Sequence, residues 1–167
     1  IVCIPVFAWM GLYRAVTRFI GLKAALGVLA GAGAAALALV GYGLVGRVFH
    51  APLICHTPGL HLHTVVSSDP TKVLADDPGM RVVADAGTAF TDSDIDLVVI
   101  AAPNTVHAAL ANAALAAGKH VVVDKPFTIT SQEAREVIAN ATRARRLVSV
   151  FQNRRWDSDF LSVRKLI

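Results

Sequence analysis

The sequence contains little cysteine and little charge. Its two cysteines, Cys3 and Cys55, are too few for a disulfide framework, and they form no C-x-x-C pair of the kind that binds zinc. Only 17% of the residues are charged, whereas 54% are hydrophobic and the mean hydropathy is +0.55. This composition excludes a disordered chain, and 167 residues are enough for one domain with a buried core.

The sequence also lacks an excess of basic residues where its motifs lie. The net charge is +4, but residues 1–36 contribute +3 of it, and residues 37–167 hold 13 basic and 12 acidic side chains. A protein that binds nucleic acid normally has a basic surface that neutralises the phosphates. We therefore expect no nucleic-acid partner.

The histidines offer no complete metal site. His61 and His63 alternate along a predicted strand and so share one face, but two ligands make at best part of a site. No cysteine or carboxylate stands at ligand spacing from them, so we expect a surface pair and no metal. His50 follows the glycine-rich turn described below and could approach a ligand crevice.

Residues 1–35 form an apolar segment that differs from the rest of the chain. No charged residue occurs between Ala24 and Gly46, so hydropathy alone would predict a membrane-spanning helix. The second half of that stretch is better interpreted as a buried strand that enters a glycine-rich turn. A signal peptide would have its charges before the apolar run, whereas here an apolar run precedes them. We expect an N-terminal extension outside the fold, with a membrane-associated helix and an integral part of the fold as the alternatives.

From Ala36 onward, short apolar runs alternate with helical patterns. The predicted strands are Leu37–Val40, Leu62–Ser67, Val82–Val83, Ile95–Ala101, His120–Val123 and Leu147–Phe151. Helical patterns occupy the segments between them, at Val45–His56, Thr88–Asp92, Thr105–Ala117 and Thr130–Arg145, and again at Asp157–Leu166. This alternation predicts an α/β fold over residues 36–150, namely a doubly wound parallel sheet of the Rossmann type with strand order 3-2-1-4-5-6.

The first helix has an apolar side and a proline. Its apolar spacing places Val45, Val48, Phe49 and Leu53 on one side of the helix. Pro52 lacks an N–H group, so it predicts a kink or an early end of this helix.

A glycine-rich motif lies between the first strand and this helix. The G-x-G-x-x-G sequence consists of Gly41, Tyr42, Gly43, Leu44, Val45 and Gly46. In a dinucleotide-binding turn the first glycine allows the tight turn, the second lets the backbone approach a pyrophosphate, and the third lets the helix pack on the sheet. A competing G-x-G-x-x-A at residues 31–36 leads into a strand rather than a helix. We therefore expect a dinucleotide at residues 41–46.

The end of the second strand favours NADP over NAD. An acidic residue there would bind the ribose 2′-OH and repel a 2′-phosphate. Ser67 and Ser68 stand at that point and Lys72 follows closely, which suits a phosphate. Asp69 supports NAD if its side chain points into the pocket; the alternative is that Asp69 only caps the helix that begins at Pro70.

Polar residues also follow the fourth and fifth strands. Ala102, Pro103 and Asn104 end the fourth strand, and Asp124-Lys125 directly follows the fifth. Both positions border the crevice in which open α/β sheets bind ligands. A lysine held there can donate to a substrate hydroxyl or carbonyl and exchange a proton with it. The alternative is a solvated loop lysine.

Four stretches give the chain a family resemblance. It resembles the Gfo/Idh/MocA family, named for glucose–fructose oxidoreductase, inositol dehydrogenase and a rhizopine-catabolism protein. The family usually has Glu-Lys-Pro where this chain has Asp-Lys-Pro, which shortens the side chain but keeps the carboxylate. The matching stretches, in family order, are Ala38–Ile54, Ala102–His107, Gly118–Pro126 and Phe151–Phe160.

The resemblance implies roles for individual residues. Lys125 would be the catalytic lysine that contacts substrate beside the nicotinamide, and Asp124 the carboxylate near the nicotinamide ribose. Asn104 and His107 match a Pro-Asn-x-x-His element that lines the cofactor site. The side chains of residues 152–155, with Arg154 and Arg155 among them, would approach the nicotinamide.

The resemblance also implies a function and a domain organisation. It implies an NAD(P)-dependent oxidoreductase, located in the cytoplasm, that transfers hydride from a CH–OH group of a sugar, polyol or related small molecule. Residues 151–167 would begin a second, α+β substrate domain through which the protein forms a homo-oligomer. Two alternatives stay open: a non-catalytic or redox-sensing NAD(P)-binding module, and an oxidoreductase tethered to a membrane by residues 1–36.

Overall fold

A six-stranded parallel sheet organises the protein. The structure is a computed structural model and describes residues 35–167. The strand order is β3-β2-β1-β4-β5-β6, and every neighbouring pair is parallel. The strands are β1 (Ala35–Val40), β2 (Leu60–Val66), β3 (Arg81–Val83), β4 (Leu97–Ile100), β5 (His120–Val123) and β6 (Val148–Val150).

Helices cover both faces of the sheet. The helical chain after β1 combines a π-helical turn at Gly46–His50 with an α-helical segment, and short 3-10 turns occur at Asn104–Val106 and Asn153–Trp156. The α-helices are α1 (Ala51–Cys55), α2 (Pro70–Asp76), α3 (Ala86–Phe90), α4 (His107–Ala116), α5 (Ser131–Ala144) and α6 (Ser158–Leu166).

The strands are buried on both faces, which explains their continuous apolar sequences. Alternate residues of β1 enter two separate cores: Leu37 and Leu39 pack on one side of the sheet, Ala38 and Val40 on the other. The second core lies under α4 and α5, and includes Val137 of α5. The predicted fold class and strand order are therefore confirmed, with strand ends that differ by up to two residues.

The apolar side of the first helix is only partly buried, because Leu53 lies in the core but Val48 and Phe49 do not. Val48 and Phe49 are 37% and 42% exposed, whereas His50 and Ile54 are buried. Gly46 sets this orientation, because a Cβ there would overlap the carbonyl oxygen of Gly41, so the Gly46 side of the helix must face the sheet. The residue four positions later, His50, faces the same way.

Pro52 lies where the π-helical turn changes into α1. The N–H of Ala51 donates to the carbonyl of Gly46, five residues earlier, and Pro52 occupies the first turn of α1. The helix then continues to Cys55. Pro52 thus lies inside a continuous helical stretch, directly after the wider π-helical turn, and it donates no hydrogen bond there.

The apolar stretch before the glycine motif is a strand where the structure describes it. Residues 35–40 form β1 at the centre of the sheet, as expected for a buried strand that enters a turn. Within residues 35–167 no helix is long and apolar enough to span a membrane. The predictions for residues 1–34 lie outside the described residues.

Candidate cofactor and active site

The glycine-rich turn packs against the end of β4. Gly41 has φ +97°, and a Cβ there would lie 2.6 Å from the carbonyl oxygen of Ala101. Its N–H donates to the carbonyl of Val66 at 3.0 Å. A side chain at Gly41 is thus excluded both by conformation and by space, which fixes the turn between β2 and β4.

Gly43 differs from the other two glycines of the motif. A Cβ on Gly43 would meet no atom within 4 Å, so its open side faces free space rather than protein. The N–H groups in the first turn of the following helix have no intrahelical acceptors and point outward from its N-terminus. A pyrophosphate fits such a place, since backbone can approach it closely and the helix dipole favours its charge. Leu44, beside Gly43, is 76% exposed, and Val45 is partly buried.

Tyr42 and Arg47 connect the turn to α2 through one carboxylate. Arg47 donates to Asp76 through Nε at 2.5 Å and through a second guanidinium nitrogen at 2.7 Å, and the Tyr42 hydroxyl donates to the same carboxylate at 3.2 Å. Burial, followed by the Asp76 charge, raises the pKa of Tyr42 to about 12. Sequence analysis did not single out Arg47 or Asp76, which are 29 positions apart in the chain.

The residues after β2 form a compact polar turn. The Ser67 hydroxyl donates to the carbonyl of Asp69 and accepts from its N–H, both at 3.1 Å. The Asp69 carboxylate caps α2 by accepting from the N–H of Thr71 and also lies 3.2 Å from Nζ of Lys72. Hydrogen bonding from Lys72 holds the pKa of Asp69 below its usual value. Ser68 and Lys72 are exposed, so hydroxyl and ammonium groups are available beside this turn.

His107 joins the loops that follow β4 and β5. Its ring is 1% exposed, with Nδ1 2.8 Å from the carbonyl of Pro126 and Nε2 2.9 Å from the carbonyl of Ala102. Pro103 and Asn104, which follow β4, are exposed. The buried His107 side chain therefore connects the loop after β4 to the loop after β5.

Asp124 and Lys125 leave the end of β5 together. The N–H of Asp124 donates to the carbonyl of Ile100 at 2.9 Å, which extends the pairing of β4 and β5 into the loop. Lys125 is exposed and precedes a cis peptide bond to Pro126. Burial acts to raise the pKa of the Asp124 carboxyl, but the pKa lies below its usual value because His50 and the Lys125 N–H and charge favour the ionised form.

The C-terminal arginines lie on a 3-10 turn after β6. Arg154 donates to the carboxylate of Asp157 at 2.7 Å, and its side chain is 78% exposed. Arg155 is also exposed. The structure thus places both guanidinium groups at the surface that follows β6.

The histidine pair is arranged as the sequence predicts. The rings of His61 and His63 lie on one face of β2 with centroids 6.0 Å apart. Nδ1 of His63 is 2.9 Å from the hydroxyl of Thr64. Among residues 35–167, no three His, Cys, Asp or Glu side chains are placed to hold a metal ion.

Comparison with known proteins places this arrangement in a family. The sequence model of the Gfo/Idh/MocA oxidoreductase family, NAD-binding Rossmann fold, matches residues 36–152. The chain belongs to the Gfo/Idh/MocA family. The resemblance seen in the sequence is therefore confirmed, and residues 36–152 match the NAD-binding Rossmann domain of that family.

Individual relatives agree with this assignment. The chain is 56% identical over 129 residues to the uncharacterized oxidoreductase YdgJ of Escherichia coli, covering 77% of this chain and 37% of YdgJ. It is 38% identical over 129 residues to the scyllo-inositol 2-dehydrogenase (NADP+) IolW of Bacillus subtilis, covering 77% of this chain and 36% of IolW. The crystal structure of a Klebsiella pneumoniae protein matches with a TM-score of 0.77 and 57% identity over 80% of this chain and 39% of that one. The chain spans little more than a third of these relatives.

Proposed function

We propose that the protein is an NAD(P)-dependent oxidoreductase that oxidises a CH–OH group of a polyol or sugar, and that residues 36–150 supply its cofactor half. The observation that supports this most directly is the contrast within the glycine motif. Gly41 and Gly46 are glycines because protein backbone approaches them, whereas protein leaves the space at Gly43 open. The relative IolW, named as a scyllo-inositol dehydrogenase, supports the substrate class.

Different residues of the chain would have different roles at the proposed site. The backbone of Gly43, Leu44 and Val45 would hold the pyrophosphate, while the Ala102–Asn104 loop would border the nicotinamide half. When bound, the dinucleotide supplies a hydride acceptor. The Asp124 carboxylate would accept hydrogen bonds from ribose hydroxyls, and Lys125 Nζ would exchange the proton of the substrate hydroxyl. Arg154 and Arg155 would approach from the segment after β6.

The proposed cofactor is NADP rather than NAD. Ser67, Ser68 and Lys72 surround the end of β2 with hydroxyls and an ammonium group, and the Asp69 carboxylate is already engaged by the α2 N-terminus and Lys72. A carboxylate engaged in this way repels a 2′-phosphate less than a free one. IolW, which has NADP+ in its name, supports the same choice.

Gly43→Val tests the dinucleotide site. Because a Cβ at Gly43 meets no protein atom within 4 Å, this variant should fold normally and still exclude the pyrophosphate from the backbone. Titration of the chain with NADPH, followed by cofactor fluorescence, should show binding by the wild type and loss in the variant. The matched control is Gly79→Ala, where a Cβ makes an ordinary 3.5 Å contact with Asp77 and binding should persist. Equal affinity in Gly43→Val and wild type would refute the site.

Ser67→Asp tests the choice of cofactor. In the wild type NADPH should bind more tightly than NADH, and a carboxylate at Ser67 should reverse this order by repelling the 2′-phosphate. The two dissociation constants of each protein give the measurement. A tenfold wild-type preference for NADH, equivalent to about 1.4 kcal/mol, would contradict the proposal.

We further propose that residues 151–167 begin a second, substrate-binding domain that also forms the oligomer contacts. The family match ends at residue 152, and α6 exposes apolar side chains at Phe160, Val163 and Leu166. An α-helix with an exposed apolar side normally packs on another element. Limited proteolysis should then cut near residues 151–157 in the isolated chain, and protection there in the isolated chain would speak against this boundary.

A further inference from the structure

A buried histidine lies behind the carboxylate at the end of β5. The His50 side chain is 3% exposed, and within the described residues its Nε2 atom has no hydrogen-bond partner. That atom lies 3.9 Å from Oδ1 of Asp124, whose side chain is 14% exposed. A buried polar atom without a partner costs free energy, so its position against a carboxylate calls for an explanation.

Two elements hold the imidazole in this position. His50 is the last residue of the π-helical turn that begins at Gly46, and such turns recur at functional sites. The ring of Phe151, which follows β6, packs on the imidazole with centroids 4.4 Å apart and an interplanar angle of 50°. The ring is therefore fixed by the helix on one side and by an aromatic side chain on the other, with Nε2 directed at the carboxylate.

The carboxylate itself is suited to such a partner. Asp124 is partly buried yet ionised more readily than usual, since His50 and the neighbouring Lys125 offset the effect of burial on its pKa. At 3.9 Å the contact is longer than a hydrogen bond. A rotation of the Asp124 side chain toward the unpartnered Nε2 would satisfy both groups.

We propose that His50 is a positioning residue for Asp124. The buried imidazole donates from Nε2 to one carboxylate oxygen, fixes the orientation of the group, and leaves the other oxygen for the side that carries Lys125. This inference rests on the proposed function, in which Asp124 accepts hydrogen bonds from the cofactor ribose. The contact between His50 and Asp124 would connect the helix after the glycine motif to the Asp-Lys-Pro turn. These two segments belong to opposite halves of the proposed cofactor site.

The wild-type protein provides the first test. Long-range proton–nitrogen NMR of the histidine ring reports which nitrogen carries the proton at neutral pH. Nε2 of His50 is expected to be protonated, because only an N–H can donate to the carboxylate. A proton on Nδ1 alone would overturn the proposal, and this measurement needs no variant.

Carbon NMR titration of the Asp124 carboxyl provides the second test, with the signal assigned through Asp124→Asn. His50→Phe keeps a ring against Phe151 but removes the donor, so the pKa of Asp124 should rise. His50→Gln offers an amide N–H in a similar place and should restore part of the difference. Leu53→Ala is the matched control, since Leu53 lies on the same buried side of the helix and its loss leaves the donor intact. An unchanged Asp124 titration in His50→Phe would overturn the proposal.

Cofactor affinity completes the design as a double-mutant cycle. His50→Phe and Asp124→Asn should each weaken NADPH binding by about tenfold, and the double variant should be little weaker than Asp124→Asn alone. Fully multiplicative effects would show that His50 acts independently of Asp124. If the wild type bound no dinucleotide, the proposed function would fail, while the two NMR measurements would still decide whether His50 holds Asp124.

Discussion

Two lysines bracket strand β5, and they meet opposite environments. Lys119 precedes the strand and is 8% exposed, with Nζ 2.6 Å from the carbonyl of Asp92 and 2.7 Å from that of Ile95. Lys125 follows the strand and is exposed at the crevice. A lysine is thus buried and bonded to backbone carbonyls at the amino end of β5, whereas a lysine at the carboxyl end is exposed to solvent.

The two ends of the sheet differ in how their polar groups are used. At the amino end, side chains satisfy backbone: Asp96 accepts from the N–H of Ala36 at 3.1 Å, and Arg146 donates to the carbonyl of Gly118 at 2.5 Å. At the carboxyl end the space beside Gly43 is open and Lys125 is exposed, while the Asp124 side chain is 14% exposed. Open α/β sheets bind ligands outside the carboxyl ends of their strands, so the proposed ligand chemistry belongs to the second end.

Replacing Lys125 should produce the largest effect. In a catalytically complete form of the protein, Lys125→Ala should lower the catalytic rate by about 10²–10⁴-fold, the usual contribution of a general acid–base group. Cofactor affinity and the free energy of unfolding should stay near the wild-type values, because the side chain is exposed. Dehydrogenase assays with a panel of polyols and sugars provide the measurement.

A charge-preserving variant sharpens this prediction. Lys125→Arg keeps the positive charge but stays protonated and is larger, so it should also be slow. Wild-type catalytic rates in both Lys125 variants would show that Lys125 is not the catalytic residue. The two lysines that flank β5 would then not differ in function as proposed.

Replacing Lys119 should affect stability instead. Lys119→Met keeps the aliphatic stem but leaves the carbonyls of Asp92 and Ile95 without their buried donor, which should cost about 1–3 kcal/mol of unfolding free energy. Urea unfolding measures the loss. Lys165→Met on the exposed surface of α6 is the control and should change little. Loss of NADPH binding in a folded Lys119→Met variant would mean that the amino end of the sheet also contributes to cofactor binding.

The smallest effect is a change in the acid dependence of stability. The folded pKa of Asp124 lies below its ordinary value of about 3.9. Its stabilising contribution is therefore fully present above that ordinary value and is lost as the pH falls through the folded pKa. Unfolding free energies measured below about pH 4 should fall less steeply in Asp124→Asn than in the wild type. Asp124→Glu should retain more of the wild-type slope, and identical slopes in all three proteins would contradict the assignment.

Much of this architecture could be predicted from the sequence. Continuous apolar runs such as His120–Val123 predict strands buried on both faces, and the helices between them require parallel pairing. The glycine motif, with a strand before it and a helix after it, predicts the dinucleotide turn, and the family match confirms the domain. These features depend on neighbours in the chain, so local sequence is enough to reveal them.

The inner face of the first helix shows where sequence analysis fell short. Apolar spacing groups Phe49 with the buried Leu53, whereas the contact of Gly46 with the Gly41 carbonyl turns His50 inward. The signal was present in the motif, because a third glycine that packs on the sheet also fixes which side of the helix faces it. Hydrophobicity alone is a weaker constraint than a backbone contact that tolerates no side chain.

By itself, the sequence determined the order of the strands, the glycine turn and the chemistry of the residues that follow β4 and β5. Only the tertiary structure decided that His50 faces Asp124, that Arg47 joins Tyr42 on Asp76, and that Lys119 closes the amino end of the sheet. The physical reason is distance along the chain. Periodicity and turn chemistry act between near neighbours, whereas His50–Asp124, Arg47–Asp76 and Lys119–Asp92 each join residues more than 20 positions apart that meet only when the fold packs.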